Sequence, residues 1–74
     1  MVLQSEFILE KYKVRLGGTN EFLSDIDREA DECKFVKGWN NPLALIFYTY
    51  DAAKSASEAI SEIEGFHNSI EEID

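Results

Sequence analysis

Cysteine, proline and histidine each occur once in the 74 residues, and no apolar run exceeds the six of Leu43–Tyr48. Each scarcity excludes something. One cysteine, Cys33, permits no intrachain disulfide, and small secreted domains are normally stapled, so a reducing cytoplasm is the expected compartment. A membrane-spanning helix needs roughly 20 apolar residues, which the chain does not offer. The opening Met1-Val2-Leu3-Gln4-Ser5-Glu6 lacks the basic and apolar regions of a signal peptide. Positive charge is also short: 7 Lys and Arg stand against 15 Asp and Glu, a net charge of -8. That balance argues against direct binding to nucleic acid or to an anionic membrane, both of which need a positive footprint. A chain this short buries only about 60% of the surface its unfolded form exposes. Two-domain enzymes, nucleotide-binding α/β folds and barrels are too large for it, and one small domain over residues 1–74 is expected.

What is present is 45% hydrophobic and 30% charged, too apolar for a disordered chain. Tyr12, Val14 and Leu16 alternate with Lys11, Lys13 and Arg15, the pattern of a half-buried antiparallel strand with a basic outer face. Gly17-Gly18-Thr19-Asn20 supplies a tight reversal. Residues 21–37 admit two readings. Phe22, Ile26, Ala30 and Cys33 recur at helical spacing, while a strand over Glu21–Ile26 would close a hairpin over the glycines and lead into an acidic loop. The weak helix formers Asp25, Asp27 and Asp31 favour the hairpin.

Gly38-Trp39-Asn40-Asn41-Pro42 is a second loop, since proline bars helix continuation. The run Leu43–Tyr50 then reads as the central, best-buried strand, with Tyr48 and Tyr50 on one face and Phe47 and Thr49 on the other. A helix is expected from Asp51, an N-cap type residue, with Ala52, Ala56, Ala59, Ile60 and Ile63 as its apolar stripe. Gly65 stops it or is passed, because Phe66, His67, Ile70 and Ile73 continue the stripe; residues 66–74 are then a helical extension or a tail. The expected fold class is α+β: a small antiparallel sheet of about three strands with one long C-terminal helix on one face, in the order β-β-(β)-β-α.

No residue set declares a reaction, so no catalytic residue, metal or cofactor is expected. The acids at Asp25, Asp27, Glu29 and Asp31 fit the odd positions of a calcium loop, but Ala30 replaces its glycine and Val36 its bidentate glutamate. Cys33 follows Asp31 and Glu32, which would raise its pKa; it reads as a small, half-buried apolar residue. His67 falls on the helical stripe as a packing residue. Trp39 reads as a lid folded over a small core or as an interface anchor, and Tyr48 and Tyr50 as aromatics on an uncovered sheet face, suited to a partner or to a homodimer.

Charge is unevenly placed. Residues 1–18 carry three bases against two acids, 19–37 six acids against three bases, and 38–74 seven acids against Lys54 alone. Asp51, Glu58 and Glu62 line up opposite the apolar stripe. Glu58 and Glu62, four residues apart, repel one another mildly and do not serve the helix itself. An acidic ridge of this kind presents charge much as a nucleic-acid backbone does.

The length, the negative charge, the Tyr12-Lys13-Val14-Arg15-Leu16 strand running into Gly17-Gly18, and an apolar strand leading into an Ala-rich helix together resemble a known group. These are the small acidic inhibitors by which phages and other mobile elements block host nucleic-acid enzymes, anti-CRISPR and antirestriction proteins among them. The resemblance implies a non-enzymatic inhibitor in the host-cell cytoplasm that occupies the basic groove of a CRISPR effector, restriction enzyme or similar protein. Asp25, Asp27, Glu29, Asp31, Glu32, Asp51, Glu58 and Glu62 are the expected contacts. The alternative is a homo-oligomeric or adaptor module joined through Trp39, Phe47, Tyr48 and Tyr50.

Overall fold

A computed structural model describes residues 10–73. The alternating segment forms β1, Lys11–Leu16, and turns back through Gly17-Gly18-Thr19-Asn20 into β2, Glu21–Asp27. Gly18 takes a positive φ of 71°, and Thr19 closes the turn through both its N–H and its hydroxyl, each donating to the Leu16 carbonyl. A second reversal leads into β3, Glu32–Lys37. There Asp27 Oδ1 accepts from the N–H groups of Glu29 and Ala30, and Asp31 sits at φ 53°, a region that short Asp and Asn side chains tolerate better than most. The chain then crosses to α1, Tyr50–Ile63, and ends the described residues in β4, Asn68–Ile73. The four strands form one antiparallel sheet in the order β3-β2-β1-β4.

The α+β class and the antiparallel sheet agree with the sequence reading, and so does the β1–β2 hairpin. The sheet has four strands where about three were expected, because the segment expected as an acidic loop after β2 pairs as β3, and three further expectations fail. First, the order is β-β-β-α-β: the helix is neither long nor C-terminal. Gly65 (φ 71°) lies just past the Glu64 cap, where its N–H closes onto the carbonyls of Ile60 and Ser61, and residues 68–73 pair along the whole of β1. Ile70 and Ile73, three apart, mimic a helical stripe but stand on opposite faces of a strand.

Second, Leu43–Tyr50 is not the central strand. Leu43, Ile46, Tyr48 and Tyr50 are exposed. The segment is a strap, hydrogen-bonded at Leu45 to the Leu23 carbonyl and at Phe47 reciprocally to Tyr12. β1 and β2 are in register at Arg15–Phe22 and then part, β2 being bent by a bulge between Leu23 and Asp25; bulges do this by leaving one residue unpaired. The strap fills the opening and satisfies the backbone groups that the parting strands would otherwise leave orphaned. It also carries the chain from one sheet face to the other.

Third, the helix N-cap is Thr49, whose hydroxyl accepts from the Ala52 N–H, while Asp51 lies in the first turn. The buried stripe is accordingly Ala53, Ala56, Ala59 and Ile60, and Ala52 is exposed.

The main core lies between α1 and the sheet: Val14, Leu23, Ala53, Ala56 and Ile60, with Tyr12, Ile26, Phe35, Leu45, Phe47 and Ile70 packed around them. Alanines on the helix let it approach closely, and Val14, Leu23 and Ile60 each contribute about 1.5–3 kcal/mol by burial. Phe22 is also fully buried, but on the opposite sheet face.

Candidate functional site

That second face explains Trp39. Its ring meets Phe22 edge-on at 5.4 Å between centroids, so the indole is the lid on a small second core. β1 points Lys13 and Arg15 into the same cluster. The Lys13 ammonium lies 4.8 Å from the Trp39 ring and donates to the Trp39 carbonyl, while the Arg15 guanidinium lies 4.8 Å above Phe22. Arg15 also holds Glu71 of β4 through two hydrogen bonds of 2.7 and 3.1 Å. Their pairing draws the Glu71 carboxyl below its usual pKa. The face expected to be basic and outward is thus largely closed: only 6% of Lys13 is exposed.

The expected acidic contacts fall into two groups. Asp25 is exposed in β2 opposite Lys34 of β3. Asp27 is consumed by the turn it caps, and Glu29, Asp31 and Glu32 are exposed at the hairpin tip. Asp51, Glu58 and Glu62 are exposed on α1. Sequence reading missed Glu64, which joins the groups: the C-cap carboxylate accepts from the Cys33 N–H at 3.0 Å. This places the C-terminal end of α1 against the turn end of the β2–β3 hairpin. Glu62 and Glu64 therefore share one end of the molecule with the hairpin acids. Asp51, at the opposite end of the helix, is some 16 Å away along its axis and does not belong with them. Burial, with the Glu64 charge behind it, pushes the Cys33 thiol up, Arg28 opposing; the direction agrees with the sequence reading, but the cause is not Asp31 and Glu32.

Among the described residues Arg15–Glu71 is the one ion pair. The acids of the hairpin tip and of α1 are left unneutralised. No basic residue occupies the last helical turn, where the helix dipole favours cations and disfavours Glu62 and Glu64.

The aromatics separate as well. Tyr48 is 59% exposed and Tyr50, which opens α1, 51%. Tyr50 meets Tyr12 edge-on at 5.8 Å, and Tyr12 donates to Glu10 at 2.8 Å. That bond, with some burial and the nearby charges of Glu10 and Glu72, pushes the Tyr12 phenol up to about 12. His67 is not on a helical stripe: it is exposed in the α1–β4 loop, where its carbonyl accepts from Gly17 N–H at 2.7 Å. With Leu16, Gly17, Thr19, Gly65 and Phe66 it lines an open cleft of about 300 Å³. Among the described residues His67 is the one imidazole or carboxylate on that lining. Among the described residues no three His, Cys, Asp or Glu side chains converge as metal ligands, and no helix is long and apolar enough to cross a membrane.

No family model, curated protein or solved structure matches this chain.

Proposed function

We propose that the chain is a non-enzymatic acidic binding protein that occupies a basic, nucleic-acid-binding groove on another protein, as anti-CRISPR and antirestriction inhibitors do. The observation that carries the reading is the gathering of acids that have no ion-pair partner among the described residues, Glu29, Asp31 and Glu32 with Glu62 and Glu64, where the turn end of the hairpin meets the helix C-terminus. Glu64 serves the fold by accepting from the Cys33 N–H, but Glu62, exposed at the same helix end, opposes the dipole, so its presence serves something other than the fold. A rigid hairpin and a capped helix fix their positions, which lowers the ordering cost of binding. Complementary charge then accelerates encounter and sets register in the groove.

The test keeps the turn intact. Asp27 caps it and Asp31 holds the positive φ, so the substitutions are Glu29→Lys, Glu32→Lys and Glu62→Lys, all at exposed positions. Protein captured from host lysate is expected to be nucleic-acid-binding, to be displaced by duplex DNA, and to be lost with the triple variant. Capture that survives all three substitutions contradicts the reading.

A second reading, an adaptor or homo-oligomeric module, is favoured by the strap, whose Leu43 is 68% and Tyr48 59% exposed. Binding through it would be indifferent to the charge reversals and lost on Leu43→Ser with Tyr48→Ser.

A further inference from the structure

The two edges of the sheet are treated differently. Gly38 N–H donates to the Asn20 carbonyl, and with Phe22 opposite Val36 and Leu23 opposite Phe35 this fixes the alternation on β3: Cys33, Phe35 and Lys37 aim their backbone groups outward. That edge is stopped at both ends. Glu64 takes the Cys33 N–H, and the Asn41 side chain donates to the Lys37 carbonyl. Side chains laid over an edge in this way obstruct pairing with another strand.

Among the described residues β4 has no such stops. Tyr12 gives both its N–H and its carbonyl to Phe47, so Tyr12–Glu72 is a non-hydrogen-bonded pair of the β1–β4 ladder. By alternation so are Val14–Ile70 and Leu16–Asn68. Asn68, Ile70 and Glu72 therefore direct their N–H and C=O groups away from the sheet. Among the described residues no hydrogen bond reaches them.

We propose that this edge pairs with the same edge of a second copy, antiparallel about Ile70, to make one continuous eight-stranded sheet. Parity requires the outward-facing residues to meet one another. The centred register pairs Ile70 with its own copy, Asn68 with Glu72 of the copy, and Ser69 with Glu71 of the copy. No acid then faces an acid, although β4 carries two of them. The Ile70 side chains, each already packed on a core, meet across the axis on the helix side. Three facing pairs exchange two backbone bonds each. The occupant is self-complementary in both charge and hydrogen bonding, which an arbitrary peptide is not.

Sedimentation over roughly 1 µM to 1 mM tests this. Expected is a concentration-dependent species of twice the 8.5 kDa chain mass, favoured by added salt because each copy carries a net charge of -8. Ser69→Glu is exposed and sits beside Arg15 within the chain, so it suits the monomer but sets acid against Glu71 of the copy twice by symmetry. Dimer affinity should fall about tenfold, and Glu72→Pro, which removes an outward N–H and no ladder bond, should abolish it. Hydrogen exchange on the unmodified chain gives an independent readout. The Asn68, Ile70 and Glu72 amides should be unprotected when dilute and protected when concentrated, while Ser69 and Glu71 are protected throughout. A monomer at 1 mM overturns the proposal, as does a dimer that tolerates both substitutions or leaves those three amides exchanging freely.

Discussion

Trp39→Ala should cost this protein a large share of its stability, because the ring closes the core on the second sheet face. Phe22 is fully buried although it lies on the sheet face away from the helix, and its cover is the indole at 5.4 Å with the Lys13 and Arg15 side chains beside it. Truncating a fully buried Trp costs about 3–5 kcal/mol. Trp39 is half-buried, which roughly halves that figure. The lost aromatic pair adds about 0.5–1.5 kcal/mol, and loss of the Lys13 cation–π contact about 0.5–1. The expected loss is about 3 kcal/mol, against about 4–11 kcal/mol available to 74 residues. It corresponds to a fall in Tm of roughly 12–24 °C. Urea unfolding followed by far-UV circular dichroism is the assay, since the variant lacks its only tryptophan; Trp39→Phe should recover about half the loss. A change below about 0.5 kcal/mol, the range of an ordinary surface substitution, would refute the second core.

Three further outcomes follow from other contacts. A Cβ on Gly17 would lie 3.0 Å from both the Cβ and the carbonyl oxygen of His67, so Gly17→Ala should destabilise by about 1–3 kcal/mol in the same unfolding assay. Glu71 has its folded-state pKa lowered by Arg15, so the pair contributes fully above the ordinary value of 4.5 and is lost as pH falls through the folded value. The gap in urea midpoint between the wild type and Arg15→Gln should therefore be constant from pH 7 to about 5 and close below that. Of the three tyrosines, one should titrate at about 12 by ultraviolet absorbance, and Glu10→Gln should bring it down towards 10.

How far the sequence discloses this molecule depends on where apolar side chains coincide with regular pairing. They coincide in β1, where strict alternation and the Gly17-Gly18 turn mark strand and hairpin together. They part company in the strap. Leu43–Tyr50 is the most apolar stretch of the chain, yet only Leu45 and Phe47 enter the gap between β1 and β2 by backbone pairing, and Leu43, Ile46, Tyr48 and Tyr50 remain exposed. Apolarity reports that a segment meets a core; the need to fill a parting sheet is a tertiary fact. β4 is hidden for the opposite reason. Asn68, Ser69, Glu71 and Glu72 make it polar, as an edge strand is allowed to be, and its two isoleucines fall at helical spacing. β3 lay within an acidic stretch whose alternation of Cys33 and Phe35 with lysines is short. At the candidate site, the exposed acids were legible from charge alone. Their grouping was not, because Glu64 reaches Cys33 across 31 positions of sequence.

The proposal that the acidic end competes with nucleic acid is tested most directly by one titration. The host protein captured on the immobilised chain would be challenged with increasing duplex DNA at about 0.1 M salt, and the release compared with that in about 0.5 M salt without DNA. Release by DNA in proportion to its affinity for the captured protein, together with release by salt alone, is the predicted result. A complex that persists under saturating DNA and at high salt would contradict it.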